Sequence, residues 1–500
     1  MRTVCSVVTV RRAEALAGVP EPVLMERAAW ALAGICADVL RAQRGAVRGA
    51  RVVALVGTGN NGGDALWALA FLARRGVGTV AVGDVARMHP AGAAACRAAG
   101  VRLLGWEAEA ARDALALADL ALDGIIGIGG SGALRGSAAA AVERLAAAGV
   151  PLVAADVPSG VDADTGEVAG VAVRAAVTAC FGVAKPGLLL PPGREHAGTV
   201  TVVEIGLRPE DLEPVARVLD LADLAEPEVA ADAHKYRRGV AGVHAGSAAY
   251  PGAALLAVGG ARCAGAGMVA FVPGTGGSGV VDPVAALVVG QYPDVVLADR
   301  AVDARCVGPG LDIDRGAQQQ VLAALADPTP LVLDASALAV LTETAARAGL
   351  EARGARGWIT VLTPHAGEFT RLGFDPAGGP LAAARRAAAG TGAVVVLKGP
   401  GTVVAAPTGA AWIDTFGTAA LATAGTGDVL AGLVAGLIAG AARREALTLE
   451  QAAHQAARAV GLHGLAGRLA ASPGRTVRAT DVLAHLPAAH AVAAEARRPA

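Results

Sequence analysis

Short apolar runs alternate with Ala-rich amphipathic stretches along most of the chain, and the runs repeatedly end in glycine or an acid. Leu24-Met25-Glu26-Arg27-Ala28-Ala29-Trp30 opens an Ala-rich helix. Arg51-Val52-Val53-Ala54-Leu55-Val56 then reads as a buried strand, followed by a glycine turn and a helical pattern through Arg75. Residues 79–82, 101–104, 120–122 and 151–155 continue the alternation as strand candidates separated by helices. Strand, glycine turn and helix in this order predict an α/β fold with a doubly wound parallel sheet.

A second series begins at Val240-Ala241-Gly242-Val243-His244 and continues through 268–272, 304–307, 331–333, 359–363 and 394–397. Polar groups stand where these strands end, which predicts a second α/β domain. No repeat links it to the first, so two different folds are expected. Between them, residues 209–228 are acidic and punctuated by proline, and read as the connection between domains. Beyond Ala439 the chain gives Ala-rich helices, and the Ala/Arg/Pro tail from about Ala488 is expected to fray.

Composition agrees with this division. A chain of 500 residues exceeds the usual size of one domain. Apolar residues make up 54% and aromatics only 3%, so tight helix-on-sheet packing through alanine is expected. The formal charge of -1 advertises neither a nucleic-acid nor a membrane partner. Six cysteines without C-x-x-C spacing read as core residues of a reducing compartment, and the N-terminus lacks a signal-peptide pattern, so a cytoplasmic protein is expected.

Candidate chemistry gathers at the strand ends. Gly57, Gly59 and Gly62 satisfy G-x-G-x-x-G, and Asp84 follows the next strand, which brings an NAD-dependent dehydrogenase into consideration. Asp64, expected in the first helical turn, would repel the pyrophosphate of such a cofactor. Asn60 and Asn61 instead suit a hard cation, or ribose and amide groups. Asp123 and Asp156 end two further strands, and acids at the ends of parallel strands converge on one crevice.

In the second half, Thr423-Ala424-Gly425-Thr426-Gly427-Asp428 precedes an apolar helix. Unpaired N–H groups at a helix start hold anions. Asp428 would repel a phosphate, so it is suited to take a proton from a hydroxyl attacking or receiving a phosphoryl group. The plainer alternative is a first-turn acid stabilising the helix by about 0.3–1 kcal/mol. Lys398-Gly399-Pro400-Gly401-Thr402 supplies a candidate second wall for phosphates.

Gly-Thr-Gly-Asn-Asn-Gly-Gly-Asp at 57–64, Asp-Val-Pro-Ser-Gly-Val-Asp-Ala-Asp-Thr-Gly-Glu-Val from Asp156, and Lys185-Pro186-Gly187-Leu188 resemble the epimerase domain of the bifunctional NAD(P)H-hydrate repair enzymes, a Rossmann-like domain covering residues 1–215. The resemblance implies that Asn60, Asn61, Gly62, Gly63 and Asp64, with Gly127, Ile128, Gly129, Gly130, Ser131, Gly132 and Ala133, cradle the hydrated dinucleotide NAD(P)HX. It implies that Asn61, Asp123 and Ser159 hold a potassium ion and that Asp156 contacts the reacting ring. Epimerisation at C6 needs an acid/base group, a role open to Asp156. Lys185 reads as a surface or ion-paired lysine, with an oxyanion role as the alternative. Ala65 departs from a usual glycine, and the second loop is richer in glycine than its usual form.

Five ordered blocks between residues 225 and 488 resemble the dehydratase domain of the same enzymes, which is ribokinase-like. This implies that Lys398, Gly399, Pro400, Gly401, Thr402 and Gly427 bind the nucleotide, and that Ala253, Gly310, His365 and Asp428 contact the hydrated substrate. ADP is the implied phosphoryl donor of a bacterial member, with Mg²⁺ at the site. Phosphorylating the C6 hydroxyl turns a poor leaving group into phosphate, and elimination restores the ring. Gly417-Thr418-Ala419-Ala420, Ala424 and Ser336 depart from the usual pattern. The resemblance implies a homo-oligomer acting on small molecules. Two other readings stay open: a small-molecule kinase with a dinucleotide-sensing domain, and an active second domain carrying a non-catalytic first one.

Overall fold

The computed structural model describes residues 1–130, 132–227, 234–273, 282–298, 300–472 and 476–498. They form two compact units, Thr3–Val215 and Ala216–Ala500, the second also taking Met1–Arg2. The first holds a seven-stranded parallel sheet. Its order is Arg102–Gly105, Gly78–Gly83, Arg51–Val56, Leu120–Gly124, Leu152–Ala155, Val177–Phe181, Thr199–Val203. Side chains of one strand feed both faces. Val52, Ala54 and Val56 enter a core with the helices Glu21–Arg44 and Asn60–Arg74, while Val53 and Leu55 enter another with Glu109–Ala116 and Gly136–Ala147.

The strand order reverses between Arg51–Val56 and Leu120–Gly124, so the turns leaving these two strands part and open a crevice at their carboxyl ends. Glycine is required there by close approach. A Cβ on Gly57 would lie 1.8 Å from the Ile125 carbonyl oxygen, and one on Gly62 would lie 2.3 Å from the Gly57 carbonyl oxygen.

The strands of the second unit run, from Ala216–Val218 inward, Ala411–Ile413, Val403–Ala405, Val394–Leu397, Thr360–Leu362, Leu331–Leu333, Ala304–Val307, Val240–Ala245, Met268–Pro273 and Val296–Leu297. Val403–Ala405 is antiparallel to both neighbours, and the other pairings are parallel. Here the order reverses between Val240–Ala245 and Ala304–Val307. One face carries the helices Pro251–Cys263, Thr426–Arg444, Leu449–Ala470 and Ala479–Arg497; the other carries Arg315–Ala326 and Thr344–Ala355.

Thr426–Arg444 is long and apolar enough to cross a membrane, but 72% of its apolar window is buried inside the unit. It packs against Pro251–Cys263 so closely that a Cβ on Gly432 would lie 1.9 Å from the Ala257 carbonyl oxygen. Thus the glycines of this apolar run serve a helix crossing.

Two expectations fail. The stretch read as an inter-domain connection is, from Ala216 on, part of the second unit: Ala216–Val218 is a strand of its sheet, next to Ala411–Ile413, and Leu221–Leu224 a short 3-10 turn. Buried Arg458 fastens it, donating to the carbonyls of Asp223, Leu224 and Ala225 and to the Glu226 carboxylate. The tail expected to fray from Ala488 instead continues the helix Ala479–Arg497, because Ala489 and Ala493 are fully buried in the core. Removing residues 489–500 is therefore expected to destabilise the second unit by about 1–3 kcal/mol in thermal or denaturant melts. An unchanged melting transition would show that this helix end contributes nothing.

Candidate functional sites

At the reversal point of the first sheet lies a cavity of about 750 Å³. Arg11 and Glu14 line it from the helix Val7–Leu16, Asn60, Asn61 and Asp64 from the next wall, Gly127, Ile128 and Gly129 from the second loop, and Asp156 from a strand end. The asparagines are not in a loop: the helix begins at Asn60 with Gly59 as its cap, which puts Asp64 fifth, past the first turn where it was expected. Gly62 and Gly63 are buried packing positions beside the cavity, while Gly130, Gly132 and Ala133 lie off its lining, and Ser131 is outside the described residues. Ala65 fills room left by Gly124, where a Cβ would lie 2.4 Å from the Ala65 Cβ.

Asp156 is held in a left-handed conformation, φ 64°. For a residue with a Cβ this stores of the order of 1–3 kcal/mol and persists only where surroundings impose it. They do so here: the Asp156 N–H donates to the Ala179 carbonyl (2.8 Å), and Oδ1 accepts from the Phe181 N–H (3.2 Å) and from Lys185 Nζ (2.5 Å). Lys185 is completely buried and also donates to the Phe181 carbonyl at 2.8 Å, so of its two readings the ion-paired one holds and the surface one does not. Burial alone would lower the Lys185 pKa, but the charge and hydrogen bond of Asp156 together with Cys180 outweigh it and the ammonium form is favoured.

Behind the cavity, Ser159 Oγ donates to Asp123 Oδ1 (2.6 Å) and the Ser159 N–H to Oδ2 (2.8 Å). The Ile125 N–H also binds Asp123, and the Ile126 N–H binds Ser159 Oγ. The Asn61 amide lies against the same loop, 3.1 Å from where a Gly127 Cβ would stand, and its buried Nδ2 has no partner among the described residues. Burial pushes the Asp123 pKa up to about 6 despite the Ser159 and Ile125 hydrogen bonds. The Asp123 carboxylate, the Ser159 hydroxyl and the Asn61 amide oxygen are oxygen atoms of the kind a monovalent cation takes, whereas the orphaned Nδ2 is a donor and calls for an acceptor.

The second site forms where the strand order of the second sheet reverses. Gly310 (φ 63°) and Ala253 touch: a Cβ on Gly310 would lie 2.5 Å from the Ala253 Cβ. One turn on, Leu256 packs against Gly425, which caps the helix Thr426–Arg444 in a left-handed conformation. Gly427 and Asp428 are therefore the second and third residues of that helix. Lys398 Nζ reaches its start, 3.4 Å from where a Gly427 Cβ would stand, and donates to Asp334 Oδ1 at 2.8 Å. Glu368 Oε2 lies 3.9 Å from the same ammonium. Burial would lower the Lys398 pKa, but Asp334 and Glu368 outweigh it. Asp428 is pushed up to about 7 by burial first and by Asp334 second, with Lys398 opposing.

His365 caps the helix Ala366–Arg371, its Nδ1 accepting from the N–H groups of Gly367 (3.0 Å) and Glu368 (3.3 Å). Nδ1 being an acceptor, the proton of the neutral ring is assigned to Nε2, on a side chain that is 57% exposed. The structural role and an outward-facing donor coexist. Gly399 and Pro400 are exposed at the tip of the hairpin joining Val394–Leu397 to Val403–Ala405, and Thr402 Oγ1 closes the turn onto the Gly399 carbonyl at 3.1 Å. Ser336, one of the departures, donates to the Leu311 carbonyl and steadies the loop after Gly310.

Asp334, Glu368 and Glu14 were not singled out as site residues by sequence. Asp334 had a signal, as a strand-end acid like Asp123 and Asp156. Glu368 had a weaker one: it stands three residues after His365, where a helix cap box closes.

The two folds, each with acids gathered where its strand order reverses, define a two-domain α/β enzyme, a Rossmann-like domain followed by a ribokinase-like one. The family described as NAD(P)H-hydrate dehydratase matches residues 241–488, and that described as YjeF-related protein N-terminus matches residues 21–187. The chain is 42% identical over 450 residues to the bifunctional NAD(P)H-hydrate repair enzyme Nnr of Mycobacterium leprae, covering 88% of this chain and 89% of that one. It is 33% identical over 459 residues to the enzyme of the same name from Synechocystis, covering 86% and 83%. A solved ADP/ATP-dependent NAD(P)H-hydrate dehydratase from Bacillus subtilis is 29% identical, covering 55% of this chain and 97% of that one with a TM-score of 0.44. The chain belongs to the bifunctional NAD(P)H-hydrate repair enzymes, which join an epimerase to a dehydratase.

Lys185→Gln leaves Asp156 buried without its cation, so a loss of about 3–5 kcal/mol is expected on denaturant unfolding of the first domain. Adding Asp156→Asn should recover most of it. A Lys185→Gln chain as stable as the parent would rule out the pair as a structural support.

Proposed function

We propose that the cavity around Asp156 interconverts the R and S hydrates and that the helix-start site around Asp428 dehydrates the S form using ADP, releasing AMP and phosphate. The observation that carries this is the arrangement at the second site: a carboxyl with its pKa raised to about 7 sits third in a helix whose start, with Lys398 beside it, is suited to hold an anion. Such a group is poised as a general base at neutral pH, a role contributing about 10²–10⁴-fold.

In this reading Lys398, Gly399, Pro400, Gly401, Thr402 and Gly427 hold the nucleotide, with the ammonium balancing phosphate charge. Ala253 and Gly310, packed on each other, and His365 through Nε2–H hold the hydrate. Asp428 takes the proton of the C6 hydroxyl as that oxygen accepts the phosphoryl group. No group of three or more metal-ligating His, Cys, Asp or Glu side chains occurs among the described residues. Mg²⁺, which keeps waters and binds largely through phosphates, fits as a nucleotide-borne ion that neutralises phosphate charge. In the first domain Asn61, Asp123 and Ser159 hold K⁺, whose charge offsets the buried Asp123 carboxylate. Asp156 exchanges a proton at the substrate ring, supported from behind by Lys185.

The two activities are expected to separate. Asp156→Asn should abolish interconversion of the hydrates while the S form is still consumed with ADP. Asp428→Asn should lower dehydration by at least about 10²-fold and leave interconversion intact. Chemically hydrated NADH, incubated with ADP and ATP in parallel, checks both. Consumption of nucleotide only with sugar or vitamin alcohols would refute the assignment and favour a kinase.

The Asp428 shift also sets a pH dependence. The base form predominates above about pH 7, so dehydration should fall along an acid limb near that value. For stability the sign is opposite. A carboxyl raised from 3.8 to about 7 contributes stability that is fully present below about pH 4 and lost as pH rises through 7. Asp428→Asn is therefore expected to melt higher than the parent at pH 8, with the gain shrinking toward pH 4. A pH-independent difference in melting temperature would contradict the shift.

A further inference from the structure

Loss and return of a hydroxyl at one carbon needs a proton donor as well as an acceptor. Asp156 serves as acceptor: its Oδ1 is ion-paired with Lys185 Nζ and accepts from the Phe181 N–H. The donor has to come from elsewhere in the cavity.

Asp64 stands in the same cavity wall, only 8% exposed. Among the described residues its carboxyl makes no hydrogen bond and no ion pair, although the helix carrying it is packed on three sides. The charged groups lining this cavity are Glu14 and Arg11 from Val7–Leu16, Glu21 from Glu21–Arg44, and Asp156, with Lys185 behind Asp156. Lys185 is already committed to Asp156. A buried carboxyl among other acids, without a cation of its own, keeps its proton. Burial first, then the charges of Asp156 and Glu14, raise the Asp64 pKa well above the usual carboxylate range. The cavity thus presents one carboxyl paired with a buried ammonium and one with no cation, and two carboxyls in such different environments divide acid and base roles.

We propose that Asp64 is a second catalytic residue of the epimerase site, the acid that protonates the departing C6 hydroxyl while Asp156 receives a proton from the returning water. The proposal rests on the reading of this cavity as the epimerase site. In the first half, the Asp64 proton passes to the C6 oxygen and the C6–O bond breaks, its electron pair leaving with water. The ring nitrogen's lone pair forms the N1=C6 double bond of an iminium. In the second half, water adds to the opposite face of C6, the electron pair returns to nitrogen, and the added oxygen loses a proton to Asp156. Transfer of that proton from Asp156 to Asp64, directly or through water, resets both. No oxidant or reductant is consumed.

The test is the pH dependence of hydrate interconversion by the full chain, followed by chromatographic separation of the R and S forms between pH 5 and 9. For the parent, a bell-shaped kcat is expected. Asp64→Asn should lower kcat about 10²–10⁴-fold with KM little changed, and the alkaline limb should disappear. Asp64→Glu should restore part of kcat and bring back an alkaline limb at a shifted midpoint. If Asp64→Asn keeps the parent's kcat, or loses kcat with both limbs in place, the proposal is overturned. Circular dichroism melting identifies an unfolded Asp64→Asn chain, in which case the limb in Asp64→Glu decides. A parent enzyme that fails to interconvert the hydrates would overturn the assignment of the cavity itself.

Discussion

A buried lysine–aspartate pair at the end of a parallel strand underlies each site. Lys185 holds Asp156 in the first domain and Lys398 holds Asp334 in the second. Desolvating two charges costs several kcal/mol per ion before their attraction is counted, so such a pair is weak support for stability alone. Both pairs lie where backbone strain is also stored. Asp156 itself, and Ala335 directly after Asp334, are the two non-glycine residues with positive φ among those described. Strain and desolvation thus fall together on the same strand ends, and the surrounding hydrogen bonds keep both in place.

Each pair also leaves another acid without a cation. Asp64 faces the Asp156 pair, and Asp428 faces the Asp334 pair. Because each lysine is committed, the neighbouring carboxyl feels repulsion from the paired aspartate and less than a full charge from the ammonium. Burial then raises its pKa further. Two different folds arrive in this way at one electrostatic plan: a fixed ion pair beside a buried carboxyl whose pKa burial and a neighbouring acid raise.

Much of this plan was legible in the sequence. Strand, glycine and helix follow from apolar period and breakers, and the reversal of strand order makes the turns after Val56, Leu122 and Val307 the places for chemistry. Pairing across the fold was not legible. Lys185 and Asp156 are 29 positions apart and Lys398 and Asp334 are 64 apart, so only the sheet brings them together. The same limit explains the misread connection: nothing local to Ala216–Val218 shows that it pairs with Ala411–Ile413, or that Arg458 from a distant helix holds the turn beyond it. The tail misled for another reason. Its Ala-rich composition looks solvent-tolerant, yet alanine suits a helix packed tightly against others, and Ala489 and Ala493 are fully buried.

The asymmetry between the two carboxyls follows from their surroundings. Asp428 lies in the first turn of a helix, where N–H dipoles and Lys398 favour its charge, so burial raises it only to about 7 and it can serve as a base. Asp64 lies beyond the first turn of its helix, out of reach of those dipoles, and its nearest charged neighbours are acids. Burial there is joined by the charges of Asp156 and Glu14, all raising the pKa. The third and the fifth position of a helix start thus place a carboxyl in different fields, one beside the helix N–H dipoles and Lys398, the other beside acids.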